Sequence, residues 1–532
     1  MTACTVFTGG VIYRPGAEPC TAVVVQGGRI AYLGDDDGAQ SWLGSPAEAD
    51  PAQHVDLAGR LLTPAFVDAH LHTVQTGQKL AGLDLSAARR VEDVLDAVAG
   101  YAAANPDRRV IVGQGWDERS WPDPRPPLRS ELDRAAGAVA VYLARVDVHS
   151  AVASSALLDR LPDVALAAGF TAEGWLTRDA HHLCRVTMDA LFTDEERRTD
   201  ARRALQWAAR EGIASVHELG GPHLGPLQDL TRVSEVGAEV GIGVVTYWGE
   251  LAGPESIERA TSAGAAGLAG DLCVDGAIGS HTAALLEPYA DADPELPGGG
   301  RGYRYLDVDQ IADHVASCTR AGLQAGFHCI GDQAVAATVE GLRQAAVVVG
   351  APALVGARHR LEHLEMIAEQ DMATLAELGV VASMQPGFDA AWGGPGELYE
   401  QRLGPRYRQM NRLGTLHRRG VRLALGSDSP VTPIAGWATI RDATQHWQQD
   451  ERLTVTEAFE AATIGGHRAA GDDVSGAMVV GAPAQLAVWD SPDGEPLSLD
   501  PSGLPELTDQ HPLPRCVATL AAGRFIYSED AQ

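Results

Sequence analysis

Short apolar runs alternate with helical stretches through the middle of the chain. Helical stretches such as 199–212 and 307–322 end in glycine, which commonly terminates a helix, and each precedes a short apolar run. We predict strands in the runs 60–72, 213–219, 242–248, 272–276, 324–332, 359–365, 380–387 and 421–429. Eight strands alternating with helices favour a (β/α)₈ barrel of the TIM type. A doubly wound sheet is the alternative, but it requires a glycine-rich loop after its first strand, and none follows residue 72.

The two ends of the chain have a different pattern from the middle. Residues 4–34, 478–490 and 515–527 are short strand-like runs divided by glycine-containing turns. Because two-stranded pieces are marginal alone, we predict one small β-sandwich domain built from residues 1–60 and 476–532. Two separate edge hairpins are the alternative. Residues 61–75 and 200–475 then form the barrel, and residues 76–199 form an α+β insertion that we expect to cover the barrel mouth.

Composition narrows the classes of partner. The 532 residues include 41 basic and 71 acidic side chains, a net charge of −30, which disfavours nucleic acid as a partner. Seven scattered cysteines without a Cys-x-x-Cys pair indicate neither a zinc ribbon nor a disulfide scaffold and fit the cytoplasm. We see no signal peptide and no apolar run long enough for a membrane span. A homodimer is expected on general frequency alone.

Histidine and aspartate side chains fall at the carboxyl ends of the predicted strands. His70 and His72 end the first strand and, being two residues apart, share a face. His328, His363 and Asp428 fall at the ends of strands five, six and eight. Taken singly, such residues are more often hydrogen-bonded core or turn residues than metal ligands. Together, on the active-site face of a barrel, they predict a site for a divalent cation, most simply zinc with one position open to water.

Several motifs resemble the amidohydrolase superfamily. They are TPAFVDAHLH, DGAIGSHTAALLEPY, GFHCIGDQA, RLEHLEM, ASMQPGF and LALGSDSPV. The ordered set is similar to the amidohydrolase-3 branch, which includes the N-substituted formamide deformylases, and the resemblance covers nearly the whole chain. It implies that His70, His72, His328 and His363 bind metal. It also implies that Asp428 binds metal or water and acts as the general base.

The insertion carries two further motifs of that branch, GWDERSW and DVHSAVASSALL. The resemblance implies that Trp116, Asp117 and His149 shape the substrate pocket, and that Asp275 belongs to the Asp-Gly of the fourth strand. His281, after the fourth-strand loop, is also expected to contact substrate. For any single tryptophan, packing in the core is the alternative.

One position departs from the family pattern. Many members carry a carboxylated lysine that bridges two metals, and here that position is Asp271. The only lysine in the chain, Lys79, lies beyond the first strand and does not replace it. By strand alternation Asp271, Cys273 and Asp275 share a face, so that Asp271 offers a shorter bridge and Cys273 a thiolate ligand. We expect one tightly held ion, with two as the alternative; Asp271 as a solvated strand-start residue is a further alternative.

These residues predict a hydrolase that uses a metal-activated water, and the resemblance implies that it cleaves a C–N, amide-type bond of a small molecule. Asp428 is the expected general base, and His363 is expected to help polarise the carbonyl. The same site would also hydrolyse an ester, a lactone or a cyclic imide. A non-catalytic metal-binding barrel is the alternative of another class.

Overall fold

The computed structural model describes residues 4–44, 52–106, 108–118, 121–146, 150–292, 297–508 and 510–531. Eight parallel strands form one sheet in sequence order. They are Phe66–Leu71, Ile213–Gly220, Gly243–Trp248, Gly267–Leu268, Gln324–Cys329, Arg360–His363, Val381–Met384 and Arg422–Leu425. The eighth strand returns to the first, because the backbone of Asp428 donates to His70 and that of His72 donates to Ser429. The predicted barrel is confirmed.

Helices occupy the connections between the barrel strands. They are Asp194–Arg210, Gln228–Val240, Pro254–Ser262, Pro297–Gly300, Val308–Ala321, Asp332–Val349, Ala351–Ala357, Glu369–Glu377, Pro386–Trp392, Leu398–Leu403, Leu413–Arg418, Gly436–Thr444, Val455–Ala461 and Ile464–Ala469, with 3₁₀ turns at Gly404–Gln409 and Gln449–Glu451.

The helix Val308–Ala321 shows how local sequence sets its limits. Asp307 and Gln310 exchange side-chain and backbone hydrogen bonds of 2.9 and 3.0 Å in a capping box. Gly322 ends the helix in the left-handed region, as the glycine predicted.

The fourth barrel strand differs from the prediction. It is Gly267–Leu268 rather than 272–276, and the latter segment meets the fifth strand only through the bridge of Cys273 with His328. The chain turns at Gly270, whose φ is +83° and where a Cβ would lie 2.6 Å from Leu219. Because residues 271–275 are not a strand, the expectation that alternation places them on one face does not hold.

Both ends of the chain build the β-sandwich. One sheet has the order Arg29–Gly34, Ala22–Gln26, Cys4–Thr8, Gln53–Asp56, and the other has the order Val11–Ile12, Leu61–Pro64, Leu486–Asp490, Arg515–Ala521, Arg524–Ser528. The helix Asp36–Leu43 follows the first sheet, and the 3₁₀ turn Glu529–Ala531 ends the second. Leu61–Pro64 pairs antiparallel with Leu486–Asp490, which joins the two ends in one sheet. Side chains such as Phe7, Val23 and Leu520 form a shared core.

The chain divides into two compact units. One comprises Met1–His72, Leu205–Gly221 and Leu230–Gln532, and the other comprises Thr73–Ala204 and Pro222–Asp229. The second unit has a five-stranded sheet of Leu83–Asp84, Val110–Trp116, Ala140–Arg145, Ala151–Ala153 and Trp175–Leu176. Its helices are Thr73–Ala81, Val91–Ala104, Arg129–Ala136, Ser155–Leu158 and Arg178–Asp189, with a 3₁₀ turn at Pro162–Leu166. The domain boundaries and the covering of the barrel mouth remain predictions.

Among the described residues, no single helix combines the length and the hydropathy needed to cross a membrane. One pair of consecutive helices is long and apolar enough when taken together, Asp332–Val349 and Ala351–Ala357, but the pair is bent by 116° at its junction.

Candidate metal centre

Six side chains converge at the carboxyl end of the barrel. Their donor atoms form three groups whose members lie within 4.8 Å of one another. The groups are His70, His72 and Asp271; His70, His363 and Asp428; and Asp271, His328 and His363. The structure thus brings together the residues that the sequence analysis singled out as metal ligands. Cys273 belongs to none of these groups in the part of the chain that the structure describes.

Asp271 lies at the middle of this cluster. Its Oδ2 is 3.2 Å from Nε2 of His72, and its Oδ1 is 3.6 Å from Nε2 of His70. The same Oδ1 lies 3.7 Å from Nδ1 of His328 and 3.9 Å from Nε2 of His363. One carboxylate therefore faces all four imidazoles, although the segment that carries it is not a strand.

Asp428 approaches the cluster from the other side. Its Oδ1 is 3.0 Å from Nε2 of His72 and 3.3 Å from Nε2 of His70. Its φ of +52° lies in the left-handed region, and so does the φ of +69° at His363. Non-glycine residues in that region are uncommon and gather at functional sites, where the surrounding structure holds them.

Each imidazole is held by a hydrogen bond at its outer nitrogen. The pairs are His70 Nδ1 with Glu362 at 2.9 Å, His72 Nδ1 with the Leu219 carbonyl at 2.9 Å, His363 Nδ1 with the Gln385 amide oxygen at 2.8 Å, and His328 Nε2 with the Gly276 carbonyl at 3.4 Å. Since every partner is an oxygen acceptor, the outer nitrogen carries the proton. Once no proton occupies it, the inner nitrogen presents a lone pair to the cluster, as a metal ligand requires.

Two inner atoms are buried without a hydrogen-bond partner, Nε2 of His70 and Oδ1 of Asp271. Leaving a buried polar atom unpaired costs about 1–3 kcal/mol. A cation between the imidazoles and carboxylates would satisfy both atoms. The residues present therefore fit a divalent metal ion.

The imidazoles and carboxylates of the cluster shift one another's pKa values. Burial lowers the pKa of His70, but the carboxylates of Asp428, Glu362 and Asp271 outweigh it and raise that pKa to about 10. Burial alone would raise the pKa of Asp428, yet His70, His72 and His363 bring it below its usual range. In the metal-free protein, a proton on His70 thus balances the carboxylates, and a cation would displace it.

Two residues expected in the substrate pocket lie within the second compact unit. Trp116 is fully buried, contacts Trp121 and Trp175, and donates from Nε1 to the Leu143 carbonyl at 3.3 Å. Its surroundings match the core-packing alternative. Asp117 forms an ion pair of 3.0 Å with Arg145. His149 lies outside the described residues.

Asp275 and His281 follow the short fourth strand. Asp275 is fully buried, and its carboxylate accepts from the backbone amides of Ala284, Ile330 and Gly331 at 2.8–3.0 Å. Burial, the largest influence, raises its pKa to about 6. His281 is 2.9 Å from Asp291. Contact of either residue with substrate stays a prediction; the structure assigns Asp275 to holding two loops together.

Sequence reasoning missed Gln385 and Arg360 among the residues behind the imidazoles, whereas Glu362 directly precedes His363 in the motif RLEHLEM and could be found there. Gln385 directly follows the seventh strand, and its signal was its position at a strand end. Arg360 lies two residues before Glu362 on the sixth strand, so alternation already placed both on one face.

An eight-stranded barrel with a His/Asp cluster at its carboxyl end defines the class of TIM-barrel enzymes, whose active sites lie at that end. The sequence model of the amidohydrolase family, in its amidohydrolase-3 branch, matches residues 53–527, and the chain belongs to this family. The expected family and fold are confirmed, and the chain is an enzyme of the amidohydrolase type.

Individual relatives resemble the chain over most of its length. The putative amidohydrolase YtcJ of Bacillus subtilis is 25% identical over 535 residues, covering 94% of this chain and 96% of that protein. The N-substituted formamide deformylase of Arthrobacter pascens is 23% identical over 514 residues, covering 88% and 90%. A metal-dependent hydrolase from Pyrococcus furiosus has a similar fold, with a TM-score of 0.74 at 24% identity, covering 91% of this chain and 98% of that one.

Proposed function

We propose that this protein is a metal-dependent hydrolase that cleaves a non-peptide C–N bond of a small molecule. The observation that carries the proposal is the orientation of the four imidazoles. Each gives its outer nitrogen to an oxygen acceptor and turns its inner nitrogen toward the carboxylate of Asp271. A core that only needed to be stable would not leave the inner atoms of His70 and Asp271 unpaired.

The proposed ligands are His70, His72, His328, His363 and Asp428, together with Asp271. Imidazole nitrogens and carboxylate oxygens suit zinc, and we propose zinc as the ion. We propose one tightly held ion per chain. The position of Asp271 between both pairs of histidines keeps a second, bridged ion as the alternative that stoichiometry decides.

A bound divalent ion polarises a carbonyl and lowers the pKa of water to about 7. In the proposed reaction, the carboxylate of Asp428 accepts the proton of the attacking water and returns it to the leaving nitrogen. Its lowered pKa keeps it ionised at neutral pH, as a proton acceptor must be.

The contacts of the His363 ring favour a role as a metal ligand over a role in proton transfer. Its Nδ1 is bonded to Gln385, and its ring stacks on Phe388 with centroids 5.8 Å apart and planes at 12°. Only Nε2 is then directed at the cluster. We therefore assign His363 to the metal, since ligation and direct polarisation of the carbonyl would compete for the same nitrogen.

The substrate class is proposed from two observations. The relative from Arthrobacter pascens is named for N-substituted formamides, so simple N-substituted amides are the first candidates. The net charge of −30 disfavours the approach of anions at long range, which favours neutral or cationic amides.

The experiment joins metal content with hydrolysis. Protein purified without added metal or chelator is analysed for metal per chain, then stripped and refilled with Zn²⁺, Mn²⁺ or Co²⁺, and assayed on N-substituted formamides, other amides, an ester and a cyclic imide. We expect about one zinc per chain and amide hydrolysis that follows the metal. A chain that holds no metal and gains no activity on refilling would contradict the proposal.

The role of Asp428 is tested separately at saturating metal. We expect Asp428→Asn to keep bound metal and to lose about 10²–10⁴-fold in hydrolytic rate, the usual contribution of a general base. Retention of most of the rate with metal bound would show that another group accepts the proton.

A further inference from the structure

One arginine lies fully buried inside the barrel, behind the metal centre. Arg360 is 0% exposed and belongs to the sixth strand, two residues before Glu362. Its guanidinium grips the Glu362 carboxylate with two bonds: Nε donates to Oε1 at 2.5 Å and Nη2 donates to Oε2 at 3.1 Å. Such a planar, bidentate pair fixes the orientation of the carboxylate as well as its charge.

The remaining donors of Arg360 reach three other strands. The two N–H groups of Nη2 are shared among Glu362, the Ala69 carbonyl at 2.6 Å and the Ser383 hydroxyl at 3.0 Å, and Nη1 donates to Nδ1 of His217 at 3.0 Å. The guanidinium carbon lies 4.6 Å from the ring centroid of Tyr247, a cation–π contact. Arg360 is therefore held from several directions and has little freedom to move.

The held carboxylate in turn holds the first metal-facing imidazole. Oε2 of Glu362 accepts from Nδ1 of His70 at 2.9 Å, so that Nε2 of His70 is directed at the cluster. The same Oε2 is one of the two oxygens that Arg360 grips. A continuous chain of contacts thus runs from Arg360 through Glu362 to His70, and all three side chains are completely buried.

We propose that Arg360 is a positioning residue for the metal centre, which sets the orientation and charge of Glu362 and through it the metal affinity of His70. The inference rests on the proposed function, since it concerns the same site. Lysine would not replace Arg360, because a single ammonium lacks the planar fork that reaches both carboxylate oxygens. The alternative is that Arg360 only ties the barrel strands together.

The experiment measures metal affinity and does not depend on turnover. Zn²⁺ and Co²⁺ are titrated into stripped protein in competition with a chromogenic chelator, and the visible spectrum of bound Co²⁺ reports the ligand geometry. The variants are Arg360→Lys, Glu362→Gln and the double variant Arg360→Met/Glu362→Gln, which leaves no buried charge without a partner. Ser383→Ala removes a partner of Arg360 that does not contact His70, and serves as the matched control.

We expect Arg360→Lys and the double variant to weaken Zn²⁺ binding roughly 10- to 100-fold, the usual effect of losing a residue that orients a ligand. The Co²⁺ spectrum should shift, while the unfolding midpoint of the stripped double variant stays near that of the wild type. Ser383→Ala should bind both ions as the wild type does. If the folded double variant and Arg360→Lys both keep wild-type affinity and spectrum, Arg360 is structural only and the inference is overturned. A wild-type chain that binds neither ion would overturn the proposed function instead.

Discussion

Asp271 is the residue whose substitution tests the metal centre most directly. Its carboxylate oxygens lie 3.2–3.9 Å from one nitrogen of each of the four histidines. Asp271→Asn keeps the size of the side chain and removes its charge. The amide also lacks the second oxygen, so it cannot face the same four nitrogens as an anionic ligand does.

The expected loss follows from the number of ligands. Structural zinc sites with four ligands bind with about 10–16 kcal/mol, which is about 2.5–4 kcal/mol per ligand. At about 1.4 kcal/mol per factor of ten, Asp271→Asn should weaken metal binding about 10²–10³-fold. We expect the stoichiometry to stay at one ion, because the remaining five donor side chains still surround the site.

The assay is chelator competition together with metal analysis of dialysed protein. Asp291→Asn is the control, because Asp291 also lies 2.9 Å from an imidazole, that of His281, but outside the cluster. An unchanged affinity in folded Asp271→Asn would refute the assignment of Asp271 as a ligand. Two ions in the wild type and one in the variant would instead establish a bridging carboxylate and contradict the single ion.

Three further predictions concern pH, packing and backbone contact. Because the pKa of His70 is raised from 6.5 to about 10, its contribution to the stability of the metal-free protein is complete below pH 6.5 and is lost as pH rises toward 10. Zinc binds only the neutral imidazole. At a buffered free-zinc concentration, the rise in unfolding temperature that zinc causes should therefore grow as pH increases over that range. A rise that does not change with pH would contradict the protonation of His70 in the metal-free protein. Phe66 is 2% exposed and packs against Trp437, Phe459 and Trp489, so Phe66→Ala should lower the free energy of unfolding by about 3–5 kcal/mol in urea titrations, and a loss below about 1 kcal/mol would contradict this packing. At Gly426 a Cβ would lie 2.5 Å from the backbone nitrogen of His70, so Gly426→Ala should weaken zinc binding, whereas Gly356→Ala, where a Cβ meets open space, should not.

The barrel brings together metal-site residues that lie far apart in the sequence. The ligand side chains come from the first, fifth, sixth and eighth strands and from the segment after the fourth. Parallel strands bring their carboxyl ends to one edge, so residues up to 358 positions apart in the chain, such as His70 and Asp428, become neighbours. The acceptors behind the imidazoles come from the second and sixth strands and from the segments after the fourth and seventh.

Local sequence was sufficient for the elements and for most of the cluster. Apolar runs and glycine stops predicted seven barrel strands in their places, because strand formation and helix termination depend on nearby side chains. The strand-end position of His70, His72, His328, His363 and Asp428 predicted their convergence, because a barrel brings all its strand ends together.

Only the tertiary structure decided the features that depend on distant backbone. The fourth strand is Gly267–Leu268 and not the predicted 272–276, because the chain turns at Gly270, next to Leu219. Asp271 nevertheless reaches the cluster from a segment that is not a strand. The carboxylate of Asp275, which alternation placed beside Asp271, is instead taken up by three backbone amides from other loops. The pairing between strands of the two termini joins residues more than 400 positions apart. Local sequence patterns do not determine the register of strands across such a distance. The sequence therefore determined which side chains were available for a metal site, and the packing of distant segments determined which of them face it.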